Sequence, residues 1–347
     1  MISSIHREEK PLLYILLAFR CHKLQMVNAT TSKPNPLSGH DDASWMVLLI
    51  TLAILGGFQW ADPFHIAPDG ILMPAMFILS LALAAAFYRR RRSDRKIVAM
   101  CVGLQQMTLF SAAGAILSYM VAAQGGAFWD ARIAGWDHAL GLDWIAYLDW
   151  LNRHALFAGL LKLAYMTIIP QMAMLIIVLG LGDRLAALRT AILGAMIAGL
   201  TVILLSGVMP AVAAYAHFGL HPADYPNLRP AASLVHMRDL LALRSGELRV
   251  LSIDKLEGII TFPSYHAALA IVFGWGFLKA PQAPARWAGV GFAALTLAAT
   301  PIDGGHYFSD VLAGCAIAAL SLLSARRLIY LRLWSGAWTQ GARPLPA

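Results

Sequence analysis

Apolar runs close to twenty residues long, separated by short basic or polar loops, recur through most of this chain. They fall at roughly 43–60, 71–88, 97–123, 155–181, 190–216, 264–280, 286–300 and 307–325. A hydrocarbon layer about 30 Å thick takes about 20 helical residues to cross, and each spanning segment must satisfy its own backbone hydrogen bonds. The pattern predicts an all-α, polytopic integral membrane protein with about eight transmembrane helices. Charged residues make up only 13% of the 347, against about 25% in a soluble domain. That deficit argues against a water-soluble enzyme, a disordered chain or a coiled coil. The net charge of +8 does not gather on one face, so nucleic acid is not an expected partner. The charges sit between apolar segments, as topology signals do.

Lys and Arg set the expected orientation. The run from Arg89 to Lys96 is the strongest signal and is read as cytoplasmic. Alternation then places Arg184 and Arg189, Lys279 and Arg286, and Arg326 and Arg327 on that same side. The polar N-terminal segment joins them, so both termini are expected inside. Met26 is an alternative start within that segment. One loop breaks the pattern. The stretch 217–263 falls outside, yet it holds Arg229, Arg238, Arg244, Arg249 and Lys255. These cations need a reason other than topology. In the 124–154 loop, Trp129, Trp136, Trp144, Tyr147 and Trp150 alternate with Asp130, Asp137, Asp143 and Asp149. The simpler reading is a helix in the headgroup layer, an aromatic belt with solvated carboxylates. Cys21, Cys101 and Cys315 form no even disulfide framework, and Cys101 and Cys315, in apolar runs, read as packing residues.

Two short segments place polar groups where a membrane disfavours them. The first is Thr261-Phe262-Pro263-Ser264-Tyr265-His266; the second runs from Pro301 to Asp310. Both lie at helix starts on the side expected to face out. A carboxylate near a bilayer is costly unless paired or hydrated, which makes it a functional candidate. His306 and Asp310 are four apart and share a helix face. Asp310 can then accept the imidazole Nδ1–H and leave Nε2 free as nucleophile or base. Pro263 presets a first helical turn. Ser264 and the free N–H groups of that turn would make an anion site, with His266 beside it. Gly304 and Gly305 allow close approach of backbone to ligand. An oriented imidazole, a second imidazole, an anion site and external cations together suit phosphoryl transfer, which relies on positioning and charge stabilisation. No acidic cluster offers evident metal ligands, so a metal-free reaction without cofactor is expected. The other class open to the sequence is a non-catalytic transporter or lipid-binding protein, with the His/Asp pair as a proton relay or structural bond.

These residues also carry a resemblance. Phe-Pro-Ser-Tyr-His-Ala-Ala at 262–268 and Gly-Gly-His-Tyr-Phe-Ser-Asp-Val-Leu-Ala-Gly at 304–314 resemble the last two signature motifs of the type 2 phosphatidic acid phosphatase (PAP2) superfamily. Trp136-Asp137, Leu140 to Trp144, Tyr165 to Gln171 and Leu243-Arg244-Ser245-Gly246 look like its branch related to inositol phosphorylceramide synthase. The resemblance covers roughly 125–325. It implies that His306 is the nucleophile forming a phosphohistidine and that Asp310 orients it. His266 would protonate the leaving oxygen and then serve as base. Ser264 and nearby N–H groups would hold the phosphate. The chain departs from the phosphatase pattern at two cations. Pro222 stands where a Lys belongs ahead of Arg229-Pro230, and Ala299-Thr300 replace a Ser-Arg pair. Arg244, Lys255 or Arg229 would substitute, with Gly305 lining the site. The departure leaves transfer to an alcohol open beside hydrolysis.

The expected organisation is a polar tail at 1–42, two accessory helices with a basic loop at 43–96, a six-helix PAP2-like catalytic unit at 97–330, and a second tail at 331–347. The expected partners are a lipid phosphate or phospholipid substrate and an alcohol or sphingolipid-like acceptor. The expected place is a bacterial cytoplasmic membrane, with the site on its extracytoplasmic side.

Overall fold

The computed structural model describes residues 42–68, 70–228, 230 and 234–341. Most of the expected N-terminal tail, with Met26 and Cys21, lies outside these residues. The chain divides into a compact unit, Asp41–Leu333, and a second made of Met1–His40 with Trp334–Ala347. Within the second, the described part is the helical stretch 334–341. The first unit holds the apolar helices and both histidine segments.

Helices form along all eight apolar stretches. The first three are α1 (Asp42–Ala61), α2 (Leu72–Phe87), prolonged by a π-helical turn over Tyr88–Arg92, and α3 (Arg95–Ala122). Two short helices follow, α4 (Asp130–Ala139) and α5 (Trp144–Arg153), then α6 (Ala155–Met166), α7 (Ile168–Leu181) and α8 (Leu185–Val208). After a long connection containing α9 (Ala214–His217) and α10 (Val235–Ser245) come α11 (Tyr265–Phe277), α12 (Ala283–Asp303) and α13 (Phe308–Gly341). Among the described residues, five helices are long and apolar enough to cross a membrane, and a sixth span results if α6 and α7, bent by 61°, are taken together. The bend has a local cause. Thr167 Oγ1 turns back onto the Leu163 carbonyl at 2.8 Å, and Pro170 in the next turn has no N–H to give. The remaining two stretches fall short for different reasons. α11 has 13 residues, about 20 Å, and α12 carries Arg286 and Asp303 on an Ala- and Gly-rich helix.

The two largest of the buried apolar clusters organise the unit. One lies between α3, α7, α8, α11 and α13, around Phe110, Leu175, Met196, Phe273 and Leu322. α1 and α2 pack onto its outside against α3. The other lies at one end of the helices. There Ile133, Trp144, Leu148 and Leu161, from α4, α5 and α6, meet Tyr215, Ile302 and Tyr307. One face of α4 and of α5 is therefore built into this core.

The ends of the helices differ in character. The α11 and α13 N-termini and the α12 C-terminus share one end with the second core. The opposite end collects Arg89–Arg92, Arg184, Lys279, Arg286 and Arg326. Arg95 at the start of α3 bonds Asp183 in the α7–α8 turn at 2.9 Å there. From Phe308 to Arg326, α13 rises about 27 Å, close to a hydrocarbon thickness. The long connection is anchored by a two-residue parallel pairing of β1 (His65–Ile66) with β2 (Val250–Leu251). Arg249 bonds Asp62 at 2.7 Å, which gives one of the unexplained cations a structural role.

α11 and α13 touch through Gly314. A Cβ at this position would lie 2.2 Å from the Ser264 carbonyl oxygen. Gly314→Ala should push the two helices apart and destabilise the protein by about 2 kcal/mol. A lowered thermal midpoint in detergent checks this; an unchanged midpoint would refute the contact.

Candidate active site

Ser264 and Asp310 fasten the two polar segments together. The Ser264 N–H donates to the Asp310 carbonyl at 3.1 Å, just beside the Gly314 contact. The N-termini of α11 and α13 thus lie side by side. His266 sits in the first turn of α11, and His306 sits two residues before α13.

Tyr165 of α6 joins the two histidines. Its ring stacks on the His266 ring with centroids 4.2 Å apart and planes 15° from parallel. Its hydroxyl lies 3.4 Å from His266 Nδ1. Gly304 lies between that hydroxyl and His306. A Cβ on Gly304 would meet His306 Cδ2 at 2.6 Å and the Tyr165 oxygen at 2.8 Å. A residue without a side chain is therefore what keeps room between the nucleophile candidate and Tyr165.

His306 is buried, and burial pushes its imidazole down to about 4; the Thr261 carbonyl beside it opposes this weakly. The ring is therefore neutral near pH 7. Its Nδ1 lies 3.4 Å from Asp310 Oδ2. This is a contact distance without the alignment of a hydrogen bond. Neither His306 Nδ1 nor Asp310 Oδ1 has a hydrogen-bond partner among the described residues. Asp310 Oδ2 instead accepts the Tyr307 N–H at 2.9 Å. The pair is adjacent and buried, a geometry that commonly tightens when a reacting complex forms.

The segment carrying His306 is held mainly by α4 and α5, whose composition suggests an aromatic belt with solvated carboxylates. Half of that reading is corrected. Asp143 and Asp149 are exposed, but Asp130 and Asp137 are each 3% exposed and Trp144 is equally buried. Asp137 accepts the Phe308 N–H at 2.8 Å, the Ser309 N–H at 2.7 Å and the Ser309 hydroxyl at 2.5 Å. It is the N-terminal cap of α13, supplied from another helix. Asp130 accepts the Tyr307 hydroxyl at 2.9 Å and the Val212 N–H. The Trp144 indole N–H donates to the His306 carbonyl at 3.0 Å. The Gly305 carbonyl accepts from Ala214 at 2.9 Å, and Gly305 takes a left-handed φ of 67°. A signal for Asp130 and Asp137 existed: residues seven apart, two turns along one helix, share a face.

The residues expected to bind phosphate are placed unevenly. Ser264 is fully buried, and its hydroxyl oxygen caps α11 by accepting the Ala267 N–H at 3.3 Å. Arg244 sends its Nη groups to the Gly126 and Gly125 carbonyls at 2.9 and 3.3 Å, and its guanidinium lies 3.8 Å over the Phe128 ring. It fastens the turn leading into α4. Lys255 is exposed at the end of a short 3₁₀ turn. Arg229 lies outside the described residues. Sequence reasoning did not single out Lys162, three residues before Tyr165 on α6. With Asp303 and Asn227 it lines a cavity of about 180 Å³. The cations and the N–H and O–H donors among these groups can meet an anion, and the two imidazoles can exchange protons with one.

Fold and site together define a helical membrane protein whose buried polar chemistry is gathered at one end of its helices, around two imidazoles. The chain belongs to the PAP2 superfamily, whose family model matches residues 131–324, more than half its length. That match covers α5 and all but the first residue of α4, as well as both histidine segments. No curated protein and no solved structure matches the chain. Members of this superfamily are in general phosphatases and phosphotransferases.

Proposed function

We propose that this protein cleaves a lipid phosphate ester through a phosphohistidine and passes the phosphoryl group to water or to an alcohol. The observation that carries the reading is the meeting of His306, His266 and the Tyr165 hydroxyl around Gly304. His306 Nε2 attacks phosphorus while Asp310 steadies Nδ1–H. The bond from phosphorus to the lipid oxygen breaks, and protonated His266 gives its proton to that oxygen. His266, now neutral, takes a proton from water or an alcohol, whose oxygen attacks phosphorus and releases His306. Tyr165 holds His266 in orientation and offers its hydroxyl to the phosphoryl oxygens.

Charge on the phosphate is met by Lys162 and Lys255 together with N–H groups of the α11 terminus. Arg244 acts through the turn it holds. The absence of the two cations of the phosphatase pattern favours the branch related to inositol phosphorylceramide synthase, hence a phospholipid donor and an alcohol or sphingolipid-like acceptor. The basic helix ends favour an orientation with the opposite, histidine-bearing end on the extracytoplasmic side of a bacterial cytoplasmic membrane and both termini inside.

Rapid quenching in base with a phosphate-labelled lipid should trap label that is stable to base, lost in acid and located at His306. Product formation in a single turnover without such label would overturn the covalent route. Mass spectrometry of products formed with and without added alcohols separates transfer from hydrolysis.

A further inference from the structure

At the end of the helices opposite the histidines lies a second polar feature. A groove of about 610 Å³ opens between the α7–α8 turn, the α11–α12 connection and α13, and Arg184, Lys279, Arg286 and Arg326 line it. Its one acid, Asp183, is held by Arg95 at 2.9 Å, so its charge is already matched from outside the groove. Arg286 is fastened to the Ala280 carbonyl at 3.0 and 2.8 Å through Nε and Nη2, which fixes one guanidinium at the groove edge. Arg184, Lys279 and Arg326 have no acidic partner among the described residues, and all three are exposed. Trp275 closes one wall, with Lys279 Nζ 5.7 Å from its ring. Apolar residues of α8 and α13 complete the lining.

We propose that this groove binds the headgroup of an anionic phospholipid from the leaflet opposite the catalytic end. The α7–α8 turn, the α11–α12 connection, α12 and α13 converge four cations on one concave surface, where like charges repel unless an anion joins them. Arg326 at the groove lies about 27 Å along α13 from Phe308, the residue two after His306, at headgroup depth if the helices span a bilayer. The wall of Trp and aliphatic side chains suits the glycerol and upper acyl region, and basic pockets between membrane helices are a known form of lipid recognition. A soluble phosphate ester would gain the charge contacts but not the apolar ones. The site is independent of the chemistry proposed for the histidines.

The test uses the purified full-length protein, with native mass spectrometry counting retained lipid after titration with phosphatidylglycerol or phosphatidylcholine. Phosphatidylglycerol should be retained well above phosphatidylcholine, and each cation removed should weaken retention about fivefold. The triple variant Arg184→Gln, Lys279→Gln, Arg326→Gln should therefore lose about a hundredfold. Arg326→Gln alone, a single exposed change, should show the fivefold step even if the triple variant fails to fold. His306→Ala should retain phosphatidylglycerol like the wild type, which separates this site from the catalytic one. Equal retention of the two lipids, or undiminished retention in Arg326→Gln, would overturn the proposal. Displacement of the lipid by millimolar glycerol phosphate would also overturn it, in favour of a free phosphate ester.

Discussion

His306→Ala should lower kcat by at least about 10⁴-fold, because removal of a covalent nucleophile leaves only binding and electrostatic contributions. The fold should survive. The His306 side chain makes no well-formed hydrogen bond through Nδ1 among the described residues, while the main chain around it is held by Trp144 and Ala214. The thermal midpoint should therefore move little while turnover disappears. A pH profile adds a second readout. Burial brings His306 down to about 4, against about 6.5 for a free imidazole. The nucleophile must be neutral, so protonation of His306 should not limit kcat/KM until the pH nears 4. An ordinary histidine would lose activity near 6.5. Stability follows the same sign. The unfolded chain takes up a proton below about 6.5 and the folded one only near 4, so this group's contribution is present above about 6.5 and drains away as the pH falls toward 4. Near-normal turnover by the purified variant would remove His306 from the reaction.

The sequence made the histidine segments legible because they break a strong rule. Polar groups at the ends of apolar helices stand out against a background of Leu, Ala and Val, and the four-residue spacing of His306 and Asp310 states its own geometry. The helices were legible for the same reason, since apolar length is a one-dimensional signal. Whether a helix spans is less so. α6 and α7 read as one run because the bend comes from Thr167 back-bonding and from Pro170, neither of which lowers hydropathy. The role of α4 was hidden by the composition that revealed the rest. In an aromatic, acidic stretch, solvated and buried carboxylates look alike: the seven-residue spacing of Asp130 and Asp137 gives them a shared face, but only tertiary contact shows that this face is buried. Tyr165 stood out only as the first residue of the Tyr165 to Gln171 resemblance, with no role attached. A lone Tyr on an apolar helix gains its meaning from His266, a hundred residues away, and from the missing side chain at Gly304. Arg244 reverses the case: a cation that reads as a phosphate ligand has its Nη groups engaged by the backbone of a turn.

Asp137→Ala should cause the second large loss, in stability and rate together. Three donors at the start of α13, two N–H groups and the Ser309 hydroxyl, converge on this one carboxylate. The site is buried, so water cannot replace it freely, and each unsatisfied donor costs about 1–3 kcal/mol. The helix dipole adds to the preference for negative charge. Partial relaxation lowers the sum, leaving an expected destabilisation of about 3 kcal/mol. The catalytic consequence runs through position. Phe308 and Ser309 lie between His306 and Asp310, so a frayed first turn separates the imidazole from its carboxylate. A displacement near 1 Å at such a point can lower the rate about 10²-fold. The loss should appear in kcat, with KM little changed, because Asp137 is a positioning residue that need not touch the lipid. Asp143→Ala is the matched control. Asp143 also caps a helix, accepting the Ala146 N–H at 2.9 Å, but it is exposed and its helix does not carry the histidines. It should cost about 1 kcal/mol and leave kcat intact. Equal falls in kcat for the two variants would mean that general destabilisation, and not the fastening of His306 and Asp310 by α4, accounts for the effect.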